Sequence, residues 1–394
     1  MSIILWKLVE IHPDFSGLLP APLCGMMQRS LCISSFPGFR ALRRKLVMKD
    51  QRSLWQERFT PLTYTLLAAV LAAVMLLCVC MGSVQIPLAV SFETIWNRFW
   101  GLPLPDSAFK NILLNIRLPR VLCVALAGAA LSLSGAAMQG LLRNPLADGS
   151  TMGVSSGAAL GAAVAMATGF SLPGSAFGGV TVLAMLFAFG SLMLILSLAY
   201  ALDHSLATGS IILLGVVFTM FVSSLISLII TFSSDHTRSL SFWTLGSFSG
   251  AGYAQARLLA AALLVCGSIL LHYRRELNAF AVGEDNARHI GVPVRRVKLI
   301  VLITVSALIG VCVSVSGVVS FVGLIMPHMA RMLVGPNHSR LLPASLFSGA
   351  IFLLLADLVS RTLLSPIELS IGVVTSLVGA VAFILIFYRT RKAG

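Results

Sequence analysis

Apolar residues recur along the chain in long runs, and short polar segments separate one run from the next. Each run is roughly 17 to 25 residues long, the length that a helix needs to cross about 30 Å of hydrocarbon. The pattern therefore predicts an all-α polytopic membrane protein with about ten transmembrane helices. The predicted spans are residues 62–82, 116–139, 151–169, 179–200, 208–232, 254–273, 298–316, 318–334, 341–361 and 368–388.

Composition supports a bilayer as the main solvent of the chain. Hydrophobic residues make up 57% of the 394 positions and charged residues 11%, whereas soluble domains carry about 25% charged residues. The mean hydropathy is +0.94. We therefore predict a single polytopic domain over residues 48–394, with no soluble catalytic module.

The first 47 residues differ from the rest of the chain. They contain several prolines and a basic run at 40–45. A secretory signal would place its basic residues before an apolar core and a small-residue cleavage site after it, and neither is evident. We predict that residues 1–47 are a non-structural extension and that translation begins near Met48; a genuine cytoplasmic extension is the alternative.

The formal net charge of +14 raises the possibility of a nucleic-acid partner. The basic residues, however, lie mainly between apolar runs and accompany few aromatic residues suited to base stacking, so no nucleic acid is predicted. They cluster in the flank at Arg52 and Arg58, in the loop 274–298 and in the tail 389–392. By the positive-inside rule these segments and both termini are cytoplasmic, and the number of spans is even.

No metal, cofactor or disulfide is predicted. The seven cysteines show no CxxC spacing, and five of them lie within apolar runs, where they act as small apolar residues.

Small residues recur at four-residue intervals in three of the spans, as at Gly128, Ser132, Ala136 and Gly140. Small residues one turn apart let helices approach closely. Tight helix packing explains these stripes, and a pore is not required to account for them.

Two sequence patterns bear on catalysis and on ATP binding. Residues 153–157 match GxSxG, the pattern of a serine nucleophile, but the motif arises within a small-residue stripe and the sequence supplies no positioned base. An intramembrane hydrolase is therefore only an alternative, and no catalytic residue is predicted. The chain contains no GxxxxGK[ST] loop, so any ATP that drives the protein binds to another chain.

Ion-coupled transport requires ionisable residues at membrane depth. The spans offer Asp357 and His328 as candidates. Asp357 lies one turn before Arg361 and can pair with it. His328 follows Pro327 near a predicted cytoplasmic end. An ion-coupled secondary transporter stays open as a second alternative.

The longest charged cytoplasmic segment is the loop 277–298. It is predicted to be helical up to Gly291, a C-cap, with Pro293 beyond it. The segment either only connects two spans or forms a surface that a soluble partner contacts and displaces.

Several segments together resemble the iron-chelate and vitamin B12 permease family of ABC importers, and the likeness covers about residues 62–388. These segments fall in the order found in the family. They are residues 117–120, 135–139, 144–148, 153–161, 282–292, 321–328, 355–357 and 368–379.

The resemblance implies a type II ABC importer permease in a bacterial cytoplasmic (inner) membrane, surrounded by membrane lipid. Two permease subunits, identical or paralogous, would enclose the translocation path and rest on cytoplasmic ATPase subunits. An extracytoplasmic binding protein would deliver a metal-chelate substrate. We expect a ferric siderophore, with haem or cobalamin as the alternatives, and no bond chemistry on the permease itself.

The resemblance also implies roles for ten residues. The coupling loop that receives the ATPase corresponds to Gly283, Glu284, Ala287 and Gly291. The translocation gate corresponds to Asn144, Leu146 and Thr208. Docking of the binding protein corresponds to Arg117, Arg120 and Arg361.

The three docking arginines also stand out by topology. Arg117, Arg120 and Arg361 lie on the predicted outer side, against the positive-inside tendency. Arg117 and Arg120 are three residues apart and share a helical face. Guanidinium groups suit bidentate contacts to carboxylates of a partner. The alternative for Arg361 is a pair with Asp357 alone.

Overall fold

The computed structural model describes residues 61–82, 84, 86–103, 109–174, 177–204, 207–233 and 237–393. The predicted extension 1–47, the start at Met48 and the flank with Arg52 and Arg58 lie outside the described residues and stay predictions. Every regular element among the described residues is helical, which confirms the all-α prediction.

The α-helices are numbered in chain order, and two irregular turns interrupt them. The π-helical turn Ile112–Arg117 precedes α4, and the 3-10 turn Gly149–Met152 precedes α5. The helices are α1 (Pro61–Cys80), α2 (Leu88–Trp100), α3 (Phe109–Asn111), α4 (Leu118–Leu142), α5 (Val154–Ala167), α6 (Gly178–Leu202), α7 (Thr208–Phe232), α8 (Thr237–Thr244), α9 (Tyr253–His272), α10 (Arg274–Val282), α11 (Glu284–His289), α12 (Val294–Ser316), α13 (Val322–Val334), α14 (His338–Thr362) and α15 (Ile371–Ala393).

Each of the ten predicted spans corresponds to a helix. In the described part of the chain, seven helices are long and apolar enough to cross a bilayer, and α5, α13 and the first part of α15 are shorter apolar helices. Helix α7 has the bounds that the sequence predicts. Helix α13 begins at Val322, four residues later than predicted.

The late start of α13 has a local cause. Gly317 and Phe321 both have positive φ, +68° and +70°, so the backbone between them is not helical. A Cβ at Gly317 would lie 2.1 Å from the carbonyl oxygen of Trp243. This irregular backbone is packed within the protein, which is where a membrane protein tolerates it.

Helix α2 lies outside the ten predicted spans, so the sequence pattern did not predict it. The segment is amphipathic and too short to span a bilayer. On its exposed side Phe92 stacks on Trp96 with ring centroids 5.9 Å apart, and Trp100 packs against Trp96 in a tilted arrangement at 5.8 Å. Aromatic residues on an amphipathic helix favour a position at the membrane interface.

Helix α4 is the centre of the molecule, and α9, α12, α13 and α14 pack around it. Nearly all of its side chains are buried. A Cβ at Gly128 would lie 2.4 Å from the carbonyl oxygen of Gly349, and one at Gly135 would lie 1.9 Å from that of Gly323. The small-residue stripe therefore serves close helix packing, as the sequence predicts.

Two long helices, α1 and α7, are the least buried of the seven long apolar helices. Only 11% of the apolar window of α1 and 17% of that of α7 is buried within the chain. The first span is rich in Leu, Ala and Val and has no interior Gly, which predicts a lipid-facing position, and the low burial of α1 agrees. The exposure of α7 was not predicted.

Candidate functional site

The polar loop after α9 folds as two short helices. Helix α10 ends at Val282 and α11 begins at Glu284, with Gly283 between them at φ +144°. Side chains rarely adopt this backbone conformation, so the glycine permits the break. The prediction of a helix up to Gly291 is therefore wrong at Gly283, where the chain breaks.

Gly291 nevertheless has the predicted capping role. The amide of Gly291 donates to the carbonyl oxygen of Arg288 and the amide of Val292 donates to that of Ala287, both at 3.0 Å. This pair of hydrogen bonds is a Schellman motif. The φ of Gly291 is +88°, which confirms the left-handed cap, and Ala287 is fully buried beneath it.

The two faces of α11 differ. Asp285 and Arg288 lie on its outer face, where they form an exposed ion pair at 3.3 Å, and Ile290 just beyond is 72% exposed. Glu284 and Ala287 lie on the inner face. The outer face therefore combines charge with an exposed apolar residue, as a surface for a soluble protein partner would.

Glu284 connects this segment with two other elements. Its carboxylate oxygen Oε1 accepts a hydrogen bond from Lys298 Nζ at 2.6 Å and one from Thr208 Oγ1 at 3.3 Å. Lys298 is fully buried. The structure thus brings together Thr208, predicted as a gate residue, and Glu284, predicted as a coupling residue.

The role of Lys298 was not predicted, because this residue was grouped with the basic residues of the loop 274–298. Its position at the start of an apolar run, fourteen residues after Glu284, was the available signal. Spacing alone does not show that the two side chains meet.

The turn after α4 lies close to the same segment. Asn144 Oδ1 accepts from the amide of Leu146 at 2.9 Å, so the side chain stabilises the turn locally. Leu146 is 51% exposed. A Cβ at Gly283 would lie 3.8 Å from Arg143 Nη1. We call residues 283–291 the coupling end. The three predicted gate residues therefore all lie near it, although their gating role stays a prediction.

A second polar group surrounds Asp357, and we call Arg117, Arg120, Asp357, Arg361 and Glu368 the arginine cluster. Asp357 forms ion pairs with Arg120 at 3.0 Å and with Arg361 at 2.9 Å. The Asp357 to Arg361 pair confirms the pairing that their spacing predicts. Arg120 also contacts Glu368 at 2.8 Å, so the cluster joins α4, α14 and the segment before α15.

Arg117 binds the end of α1. Its guanidinium donates to the carbonyl oxygens of Val79 at 3.0 Å and Cys80 at 2.9 Å, and also to that of Val84. Carbonyl groups at a helix C-terminus lack partners within the helix and attract cations. Sequence analysis missed this capping role, since the residues involved are more than thirty positions apart.

All three predicted docking arginines are buried and bonded within the chain, with 3 to 7% of each residue exposed. The half-exposed carboxylate of Glu368 is the most accessible charged group among their partners. Docking of a binding protein at these arginines stays a prediction, and the structure adds an internal role for each of them.

The alternatives left open by the sequence have structural explanations. Asp357 lies between two arginines, so an ion pair accounts for its burial. Within GxSxG, Ser155 is buried and Ser156 Oγ donates to Thr219 Oγ1 at 3.1 Å. Gly153 is the left-handed residue that starts α5, with φ +69°. A Cβ at Gly157 would clash with Ser191 of α6, so packing of α5 against α6 and α7 explains the motif.

Comparison with known proteins gives consistent results. Residues 70–389 match the model of the FecCD transport family. The chain is 43% identical to the uncharacterized ABC transporter permease protein YvrB of Bacillus subtilis, over 82% of this chain and 92% of that protein. It is 37% identical to the hemin transport system permease protein HmuU of Yersinia pestis, over 81% and 94% of the two chains.

One solved structure is also similar. It is described as an inward-facing conformation of a putative metal-chelate type ABC transporter. The TM-score is 0.73 at 32% sequence identity, and the match covers 84% of this chain and all of that chain. The family match over residues 70–389 includes both the arginine cluster and residues 283–291.

Proposed function

Because this chain belongs to the FecCD transport family, we propose that it is the permease subunit of a binding-protein-dependent importer that moves a ferric siderophore into the cytoplasm. The match to the family over residues 70–389 carries the proposal. Membership makes the chain a multi-pass transport subunit of an ABC importer. The siderophore, the individual partners and the roles of single residues are the proposed part.

The choice of a metal chelate draws on two relatives. The similar solved structure is that of a putative metal-chelate type ABC transporter, and the Yersinia pestis relative is a hemin permease that matches over 94% of its length. Haem is therefore the second candidate substrate, and cobalamin is the third.

We propose that ATP hydrolysis takes place on a separate cytoplasmic subunit that docks on residues 283–291. The charged outer face of α11 and the exposed Ile290 support this assignment, as does the fixed end of the helix at Gly291. A helix with a fixed length and a fixed end can transmit a displacement of the ATPase to the membrane helices without bending. The permease itself would then carry out no bond chemistry.

We propose further that two permease subunits enclose the translocation path. Helix α7 supports this idea because it exposes Ser223, Ser224 and Ser227 along an apolar span, each bonded to a carbonyl of its own helix. Hydroxyl groups at membrane depth suit a helix interface or a water-filled path better than lipid. The gate residues Asn144, Leu146 and Thr208 would then close the inner end of that path.

Uptake into proteoliposomes tests the proposal. The permease is reconstituted with its ATPase and binding protein and supplied separately with a radiolabelled ferric siderophore, haem and cobalamin. We expect siderophore uptake that requires ATP and persists when a protonophore removes the proton gradient. Uptake of haem or cobalamin without uptake of the siderophore would overturn the substrate assignment. Uptake that survives without ATP and collapses with the proton gradient would overturn the importer assignment in favour of a secondary transporter.

A further inference from the structure

The contact between Glu284, Thr208 and Lys298 joins three elements that are separate in the sequence. Glu284 is the first residue of α11, Thr208 the first of α7, and Lys298 lies in the second turn of α12. One carboxylate oxygen receives both donors. A displacement of Glu284 therefore acts directly on the start of α7.

Lys298 is the unusual member of this group. A fully buried ammonium inside a predicted span is costly, and such residues are retained where they have a partner and a function. Its distance to Glu284 Oε1 is 2.6 Å, while the Glu284 side chain is itself 30% exposed. The buried lysine thus holds the half-exposed carboxylate at the boundary between α11 and the membrane helices.

The two neighbours of Glu284 differ in how firmly they are packed. Helix α12 is two-thirds buried within its apolar window, whereas α7 is 17% buried and contributes only Ile211, Gly215 and Val222 to the interior. When α11 moves, the well-packed α12 therefore holds Lys298 in place, whereas the less buried α7 can move with Thr208. The break at Gly283, at φ +144°, allows α11 to move separately from α10.

We propose that Lys298 is a positioning residue that fixes Glu284 so that movement of α11 is passed to the first turn of α7. This inference rests on the proposed role of residues 283–291 as the segment that receives the ATPase. It adds the route by which that segment reaches α7, the helix that bears the exposed hydroxyl groups.

Hydrogen exchange in the permease–ATPase complex tests the route without requiring the transported substrate. Amide protection is compared with and without ADP-vanadate in two segments, residues 283–292 and 207–213. The wild type is expected to change in both. The Lys298→Met variant is expected to keep the change at 283–292 and to lose the change at 207–213.

Further variants separate transmission from folding. The Glu284 side chain is 30% exposed, so water can solvate its carboxylate when Lys298 is replaced, and the Lys298→Met variant is expected to assemble. Thr208→Val removes the hydroxyl at the other end of the contact and should give the same loss, whereas Thr208→Ser should restore the wild-type response. Ser156→Ala removes a different contact to α7 and is the matched control, with both changes expected to persist.

The outcomes distinguish this route from the function on which it rests. Lys298→Met and Thr208→Val variants that both keep the change at 207–213 would overturn the role of Lys298 while leaving the coupling segment intact. A wild-type complex that shows no change at 283–292 would overturn the coupling assignment, and the route with it.

Discussion

The arginine cluster and the coupling end are both built from charged residues, but they are held in different ways. In the cluster, the buried carboxylate of Asp357 lies between two buried arginines, and a third arginine caps α1. At the coupling end, one half-exposed carboxylate connects three helices, and glycines at positive φ bound the segment. The first arrangement fixes helices together, and the second leaves a short helix able to move.

The difference teaches that charge at membrane depth serves two purposes in this protein. A buried ion pair with all its partners in place resists displacement, because separating it leaves charges without compensation. A single shared carboxylate at a boundary can shift with less cost. Five predictions test this contrast, and the first has the largest expected effect and the last the smallest.

The largest effect is expected from Asp357→Ala. The substitution leaves Arg120 and Arg361 buried without their shared carboxylate, and breaking a buried pair in this way costs about 3–5 kcal/mol. We expect low membrane yield and a large loss of thermal stability in detergent. Asp285→Ala removes a carboxylate from the exposed pair with Arg288 and is the control. Equal stability of the two variants would contradict the structural role of the cluster.

A smaller effect is expected from Gly291→Val at the coupling end. A β-branched residue at φ +88° costs about 1–2 kcal/mol, so the protein should still insert while ATPase-driven transport falls. Gly101→Val is a close control, because Gly101 also caps a helix at φ +66° and a Cβ there has open space. Transport by the two variants is measured at equal expression. If Gly291→Val transported as well as Gly101→Val, the cap would have no coupling role.

The docking prediction is sharpened by Glu368, which is the half-exposed member of the arginine cluster. Glu368→Gln keeps the shape of the side chain and removes its charge, which makes Arg120 more available to a carboxylate of a binding protein. We expect a change in binding-protein affinity of about 1 kcal/mol or less, reduced further by salt. The measurement is affinity for the reconstituted permease across ionic strength. An affinity and a salt slope that match those of the wild type would argue against docking at these arginines.

The corresponding charge-reversal experiment changes Arg117 and Arg120 to Glu together. Docking predicts a severe loss of binding with reduced salt sensitivity, but both side chains also bind within the chain. Thermal stability is therefore measured first, and affinity is compared only for protein that retains its stability. Retained stability with unchanged affinity would contradict the docking role.

The smallest effect is expected from removing residues 1–47. A chain that begins at Met48 should insert and transport as the full chain does, since the predicted first span starts after this point. Transport per molecule in the membrane is the measurement. A clear reduction at equal expression would show that the extension has a function.

The sequence predicted the helices well because their length and apolar periodicity are local properties. The bounds of α7 and the cap at Gly291 follow directly from residues that are adjacent in the chain. The late start of α13 was missed because it depends on the backbone of Trp243, more than seventy positions away. Helix α2 was missed because an interfacial helix is too short for a span.

The candidate site was predicted less completely for the same reason. Glu284 and Thr208 were singled out separately, but their contact and the buried Lys298 depend on helix packing. Likewise, Arg117 and Arg120 were placed together by spacing, while only the structure shows that one binds α1 and the other binds Asp357. Long-range partners of charged residues are not encoded in local patterns.

The central claim is that the segment 283–291 receives the ATPase, and site-specific photocross-linking tests it most directly. A photoreactive residue replaces Ile290, which is 72% exposed at the end of α11, or Trp100, which is 61% exposed at the end of α2. The complex is illuminated and adducts are identified by mass spectrometry. We predict an ATPase adduct from position 290 and none from position 100. An adduct from position 100 alone, or none from position 290 in a complex that hydrolyses ATP, would contradict the claim.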